Sequence, residues 1–152
     1  MSSDSTLLLD SNFLLKKDMT VIRIIMQFRS TPIIVNTEDG DIETRDPDTY
    51  ELQSFGGVPA IIRANGSKLW YKDGKLHREG DLPALEDANG TKTWHIDGKL
   101  HREGDLPAWV RFDGTKYWYK NGNCHRDGDR PAVEYMNTLR YWYKNGVQYY
   151  PK

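Results

Sequence analysis

Cysteine is almost missing: Cys124 stands alone in 152 residues, which excludes an intramolecular disulfide and a thiolate set for zinc. Any core must hold without either staple, as suits a reducing compartment. Long apolar runs are also missing. No stretch approaches the roughly 18 residues that span a bilayer, and the opening Met-Ser-Ser-Asp lacks the basic start and apolar run of a secretory signal. Apolar residues make up only 38% of the chain, yet aromatics reach 12%, so tryptophan and tyrosine must supply much of the packing. The length suits one domain, or a small cap joined to a short array.

Charge of one sign is scarce too, with a net −1 overall. Residues 57–152 carry sixteen basic and twelve acidic side chains, too dilute an excess for nucleic acid, which calls for a concentrated basic stripe. Residues 36–51 hold seven carboxylates against one arginine and read as a solvated loop or linker.

What the chain has is a period. Pro59-Ala60 recurs at Pro83, Pro107 and Pro131; Trp70 at Trp94, Trp118 and Trp142; His77-Arg78 at His101-Arg102 and His125-Arg126, then becomes Tyr149-Tyr150. The spacing is 24 residues without insertion, the signature of a tandem array. Each copy carries two turn signals: Asn65-Gly66, Asn89-Gly90 or Asp113-Gly114, then Asp73-Gly74, Asp97-Gly98, Asn121-Gly122 or Asn145-Gly146. Such pairs close two-residue hairpins, because both turn residues need positive φ. The expectation is an all-β, elongated array of antiparallel hairpins over residues 56–152, with a non-repeating N-terminal cap over residues 1–55.

With two-residue turns throughout, Leu85 faces Trp94, and His101 faces Trp94 from the other side. Alternation then puts Leu85, Trp94 and His101 on one side of the sheet and Ala84, His95 and Leu100 on the other. Ile61-Trp70-His77 and Trp109-Trp118-His125 follow in the neighbouring copies. Three strands per copy is an odd number, so the third strand of one copy should run parallel to the first of the next. In the cap, residues 20–28 and 32–35 read as strands, and residues 5–17 as a helix or a strand.

The sequence Trp-Tyr-Lys-Asn-Gly, followed by His-Arg-x-Gly-x-x-Pro-Ala, resembles the MORN-like repeats abundant in proteins of large DNA viruses and tailed phages. The resemblance covers about residues 56–150. It implies a ribbon of stacked hairpins used for scaffolding or protein binding, with an intracellular or virion-associated location. His-Arg and Asp-x-Pro-Ala stand here where MORN copies proper carry a Gly-x-Gly spacing, so membrane binding is not expected.

His77, His101 and His125 could act as acids, bases or ligands, but one strand triplet, near 14 Å, separates successive copies, too far for a shared metal or substrate atom. They are read as structural, with Trp70, Trp94, Trp118 and Trp142. Arg78, Arg102 and Arg126 pair readily with Asp81, Asp105 and Asp129, or else capture an anion or partner. Tyr71, Tyr119 and Tyr143 form a row that is either exposed or covered by another molecule. No phosphate loop, nucleophile motif or paired catalytic carboxylate appears. A non-enzymatic protein-interaction or scaffolding module without cofactor is expected, its partner another protein or a second copy of itself. The rival is a binder of a small anion such as a nucleotide, acting as an inhibitor of host defence.

Overall fold

In the computed structural model, residues 31–152 are described; the expected elements at residues 5–17 and 20–28 lie outside them. The described chain is all-β. Its main sheet has eleven strands in linear order, and every pairing in it is antiparallel. Among the described residues no helix is long and apolar enough to cross a membrane.

The second copy shows how one unit is built. Strands β7 (Leu85–Glu86) and β8 (Lys92–Thr93) form a first hairpin, and β9 (His95–Ile96) and β10 (Lys99–Leu100) form a second. The first copy supplies β3 (Ile61–Ile62), β4 (Lys68–Leu69), β5 (Tyr71–Lys72) and β6 (Lys75–Leu76). The third supplies β11 (Trp109–Val110), β12 (Lys116–Tyr117), β13 (Tyr119–Lys120) and β14 (Asn123–Cys124). In the fourth, β15 (Val133–Glu134) pairs with an unbroken β16 (Arg140–Lys144), which also pairs with β17 (Val147–Tyr149).

This corrects the expected strand count. The tryptophan-bearing strand is split at the tryptophan itself: the residues before it stay in the main sheet, and those after it turn off into a separate hairpin. The Trp94 N–H leaves its own copy and donates to Ala108 O (2.8 Å), as Trp70 does to Ala84 and Trp118 to Ala132. Each of the first three copies thus gives the main sheet two strands, an even number, and β8 meets β11 antiparallel. No parallel pairing is needed. Copies advance by two strands, about 10 Å, not by three.

The expected register is corrected as well. The Asp97-Gly98 turn is a two-residue type I′ turn, with φ of 49° and 79° and Ile96 opposite Lys99. At Asn89-Gly90 only the glycine has positive φ, 92°. There Gly90 N–H donates to Asp87 O and Asp87 N–H to Thr91 O, a type I turn followed by a bulge at glycine. Asn89 is needed for its side chain, whose Oδ1 accepts from Thr91 N–H (2.8 Å). The bulge shifts pairing by one residue, so Leu85 faces Thr93 and Ala84, not Leu85, comes beside the tryptophan side.

The acidic stretch at residues 36–51, expected as a loop or linker, contains β2 (Ile42–Arg45), which pairs with β1 (Ile33–Asn36) and with β3. Its carboxylates serve as backbone acceptors instead of repelling one another: Asp41 Oδ1 takes Ala64 N–H, and Asp46 Oδ1 takes Asp48 and Thr49 N–H. The repeat's own bonding also reaches back into this region. Thr44 N–H donates to Ala60 O and Gly74 N–H to Leu52 O, as Gly98 does to Leu76. Gln53 Oε1 accepts from Asp73 N–H (2.8 Å), the task of a histidine in later copies. A degenerate copy without tryptophan therefore precedes the first regular one.

Candidate functional site

The two sides of the array do different work. On the tryptophan side, Trp94 is buried, and its indole N–H donates to Asp81 O of the preceding copy (3.0 Å). Asp81 turns this carbonyl inward with φ of 55°, a conformation aspartate tolerates better than most residues. The Arg102 guanidinium lies over the Trp94 ring at 3.9 Å. Its Nε and Nη2 grip both oxygens of Asp81 (2.7 and 2.9 Å), while Nη1 donates to Pro107 O (3.3 Å). Trp118, Arg126 and Asp105 repeat the arrangement, with Arg126 3.8 Å from the ring and Arg130 also on Asp105.

Two of the three expected arginines, Arg102 and Arg126, thus form Arg–Asp bonds, both between copies, whereas Arg78 pairs with Glu86 and Asp129 with Tyr149. The Arg102 and Arg126 guanidinium groups are each held by stacking and a two-point carboxylate bond. Hydrogen bonds from Arg102 and Arg126 hold the Asp81 and Asp105 carboxyls below the usual carboxylate range. A carboxyl depressed in the folded state stabilises it above the unfolded value of about 3.9, and that contribution disappears as pH falls through the folded value. Melting temperature should therefore drop as pH is lowered below about 4, and less steeply in an Asp81→Asn/Asp105→Asn variant. Equal acid slopes in thermal unfolding would contradict this.

The histidines bridge copies in the same way. His101 Nδ1 accepts from Asn121 N–H (3.1 Å) in the next copy's turn, and Nε2 donates to Glu103 Oε1 (2.8 Å). His125 does so with Asn145 and Asp127, and His77 with Asp97 and Glu79. A backbone N–H of the next copy points at Nδ1 in each case, and the side-chain oxygens of Asn121 (2.9 Å) and Asp97 (3.2 Å) lie beside the same nitrogen of His101 and His77. Among the described residues, no three His, Cys, Asp or Glu gather as a metal set. The rings are joints between neighbouring units.

The other side carries Leu85, Thr93, His95 and Leu100 in the second copy and is far more aromatic in the last two. Trp109 stacks on Tyr117 (centroids 4.7 Å), Tyr117 meets Tyr135 edge-on (6.2 Å), and Tyr135 meets Tyr141 (5.9 Å). Tyr117, Tyr119, Tyr135, Tyr141 and Tyr143 line a pocket of about 260 Å³ with Val133 and Cys124. All five tyrosines are half-buried, so each keeps part of its ring available. Burial pushes the Cys124 thiol up to about 11, which removes the reactive thiolate at neutral pH. Cys124 fills the place of Leu76 and Leu100.

Of the residues singled out in the sequence, Tyr119 and Tyr143 come together in this pocket. Tyr71, also half-buried, belongs to the first copy and does not join them. Arg102 and Arg126 are engaged within the chain. Sequence reasoning missed Trp109, which it placed beside Trp118, and it missed Tyr117, Tyr135 and Tyr141 altogether. The signal was present: a Ser or Thr after the turn glycine, as in Ser67, Thr91 and Thr115, has its N–H taken by the preceding Asn or Asp side chain, which marks the bulged turn. No family model matches the chain, and no curated protein does either.

Proposed function

We propose that this chain is a non-enzymatic protein-interaction module of the MORN-like kind, encoded by a virus or phage and acting inside the host cell or the virion. The contact surface is the aromatic side of its last two copies. The observation that carries the reading is the unbroken run of rings from Trp109 to Tyr141. Half-exposed aromatic rings give large contact area with few rotors to immobilise, which is why tyrosine and tryptophan dominate interface energetics. Exposed Phe112 and Met136 extend the apolar surface along the turn edge. The proposed origin and location rest on the resemblance of the repeat motif to MORN-like repeats.

A Tyr119→Ser/Tyr141→Ser variant tests the reading. Both positions are only half-buried, so the fold should persist by circular dichroism, while capture of a partner from host extract should weaken at least about tenfold. Capture of the same proteins at the same level by the variant would remove the aromatic side from consideration.

A further inference from the structure

The array contains its own demonstration of a ligand site. In the second and third copies an arginine lies over its tryptophan, with Nη1 on the proline carbonyl and the Nε–Nη2 edge on a carboxylate from the preceding copy. Arg78 has the same pose. It lies 3.6 Å from the Trp70 ring centroid, and its Nη1 donates to Pro83 O (3.1 Å) and Glu86 Oε1 (3.3 Å). The position 24 residues before Asp81, however, is Gly57. Gly57 keeps the backbone role, its carbonyl accepting from the Trp70 indole (2.8 Å), but it brings no carboxylate. Among the described residues nothing accepts from Arg78 Nε or Nη2.

Among the described residues no atom lies within 4 Å of a Cβ built on Gly57, so they leave open the space the missing side chain would fill. It belongs to a pocket of about 330 Å³ that includes Gly57, Trp70, Lys72, Arg78 and Leu82. Glu79, the one carboxylate among the described residues that line it, is held by Lys72 (3.0 Å) and His77 (3.1 Å). The equivalent Glu103 does not prevent Arg102 from binding Asp81. A guanidinium edge already oriented by stacking and by Nη1 loses little freedom on binding, and its two parallel N–H groups match a carboxylate.

We propose that the Nε–Nη2 edge of Arg78 is a carboxylate-binding site that takes an aspartate or glutamate side chain of a protein partner. The site lies on the tryptophan side, so its failure and that of the aromatic surface are separately observable. The test uses the full chain, acetyl-Gly-Asp-Leu-Pro-Ala-amide, its Asn counterpart and succinate, followed by the Arg78 Nε–H and Trp70 indole N–H signals in nitrogen-15 NMR. The aspartate peptide should shift both signals saturably, the asparagine peptide should not, and succinate should bind at least about tenfold more weakly. Gly57→Asp, which leaves Arg78 in place, should move the Arg78 signal to where Arg102 and Arg126 resonate and abolish the response to peptide.

Three results would overturn the proposal. One is an Arg78 signal already matching Arg102 and Arg126 in the free chain, which would mean that the edge is already occupied without a partner. The second is equal shifts from the two peptides. The third is equal binding of succinate, which would assign the site to a small acid.

Discussion

Trp94→Ala should lower the unfolding free energy by about 3 to 5 kcal/mol, the usual cost of emptying a buried aromatic site. The ring is buried, its N–H holds Asp81 O, and its face carries Arg102. Removal leaves that carbonyl without its donor and the guanidinium without its platform. Because the carbonyl comes from the first copy and the arginine from the second, the loss falls on the joint between units as well as within one. In an array held by nearest-neighbour interfaces, such a loss spreads to the adjacent copy. Trp142→Ala should cost roughly half as much or less, since Trp142 is half-exposed, has Tyr150 where an arginine would stack and reaches Asp129 O only at 3.3 Å. Urea unfolding followed by circular dichroism measures both. A Trp94 cost below about 1 kcal/mol, in the range of ordinary surface changes, would mean that the ring is not a joint.

The period, the β class and the two hairpins per copy were legible because turn chemistry repeats at fixed spacing. The inter-copy Arg–Asp bonds were legible in kind, but not in direction. Asp105 lies three residues after Arg102 in sequence, yet Arg102 reaches back to Asp81, because the loop between them carries Asp105 on to the next copy. The face assignment failed for a local reason. Asn-Gly and Asp-Gly close either a two-residue turn or a bulged three-residue one, and the choice moves every residue of the first strand to the opposite side. The degenerate copy was hidden because Thr44, Gln53 and Gly57 stand where tryptophan, histidine and aspartate stand later. They preserve backbone bonding while losing the side chains that make the repeat visible. The terminal copy adapts similarly: Tyr149 takes the histidine position, and its hydroxyl donates to Asp129 (3.0 Å), the carboxylate that a further arginine would have gripped.

Ala108→Leu separates the observed register from the expected one, and should destabilise the array by about 1 to 3 kcal/mol through overpacking. Ala60, Ala84, Ala108 and Ala132 are each 0% exposed. The Ala108 carbonyl accepts from Trp94 N–H, so a larger side chain must displace the tryptophan joint or push the copies apart. Were the first turn a two-residue one, alanine would face away from the tryptophans and leucine would extend over the open sheet at little cost. Ala108→Gly is the control, since it adds no volume and should cost only about 0.5 to 1 kcal/mol through backbone entropy. Because Ala108 joins the second copy to the third, the leucine variant should also broaden urea unfolding or split it into two transitions, as weakened coupling between repeats requires. A leucine variant that unfolds like the wild type would restore the two-residue turn and return Leu85 to the tryptophan side.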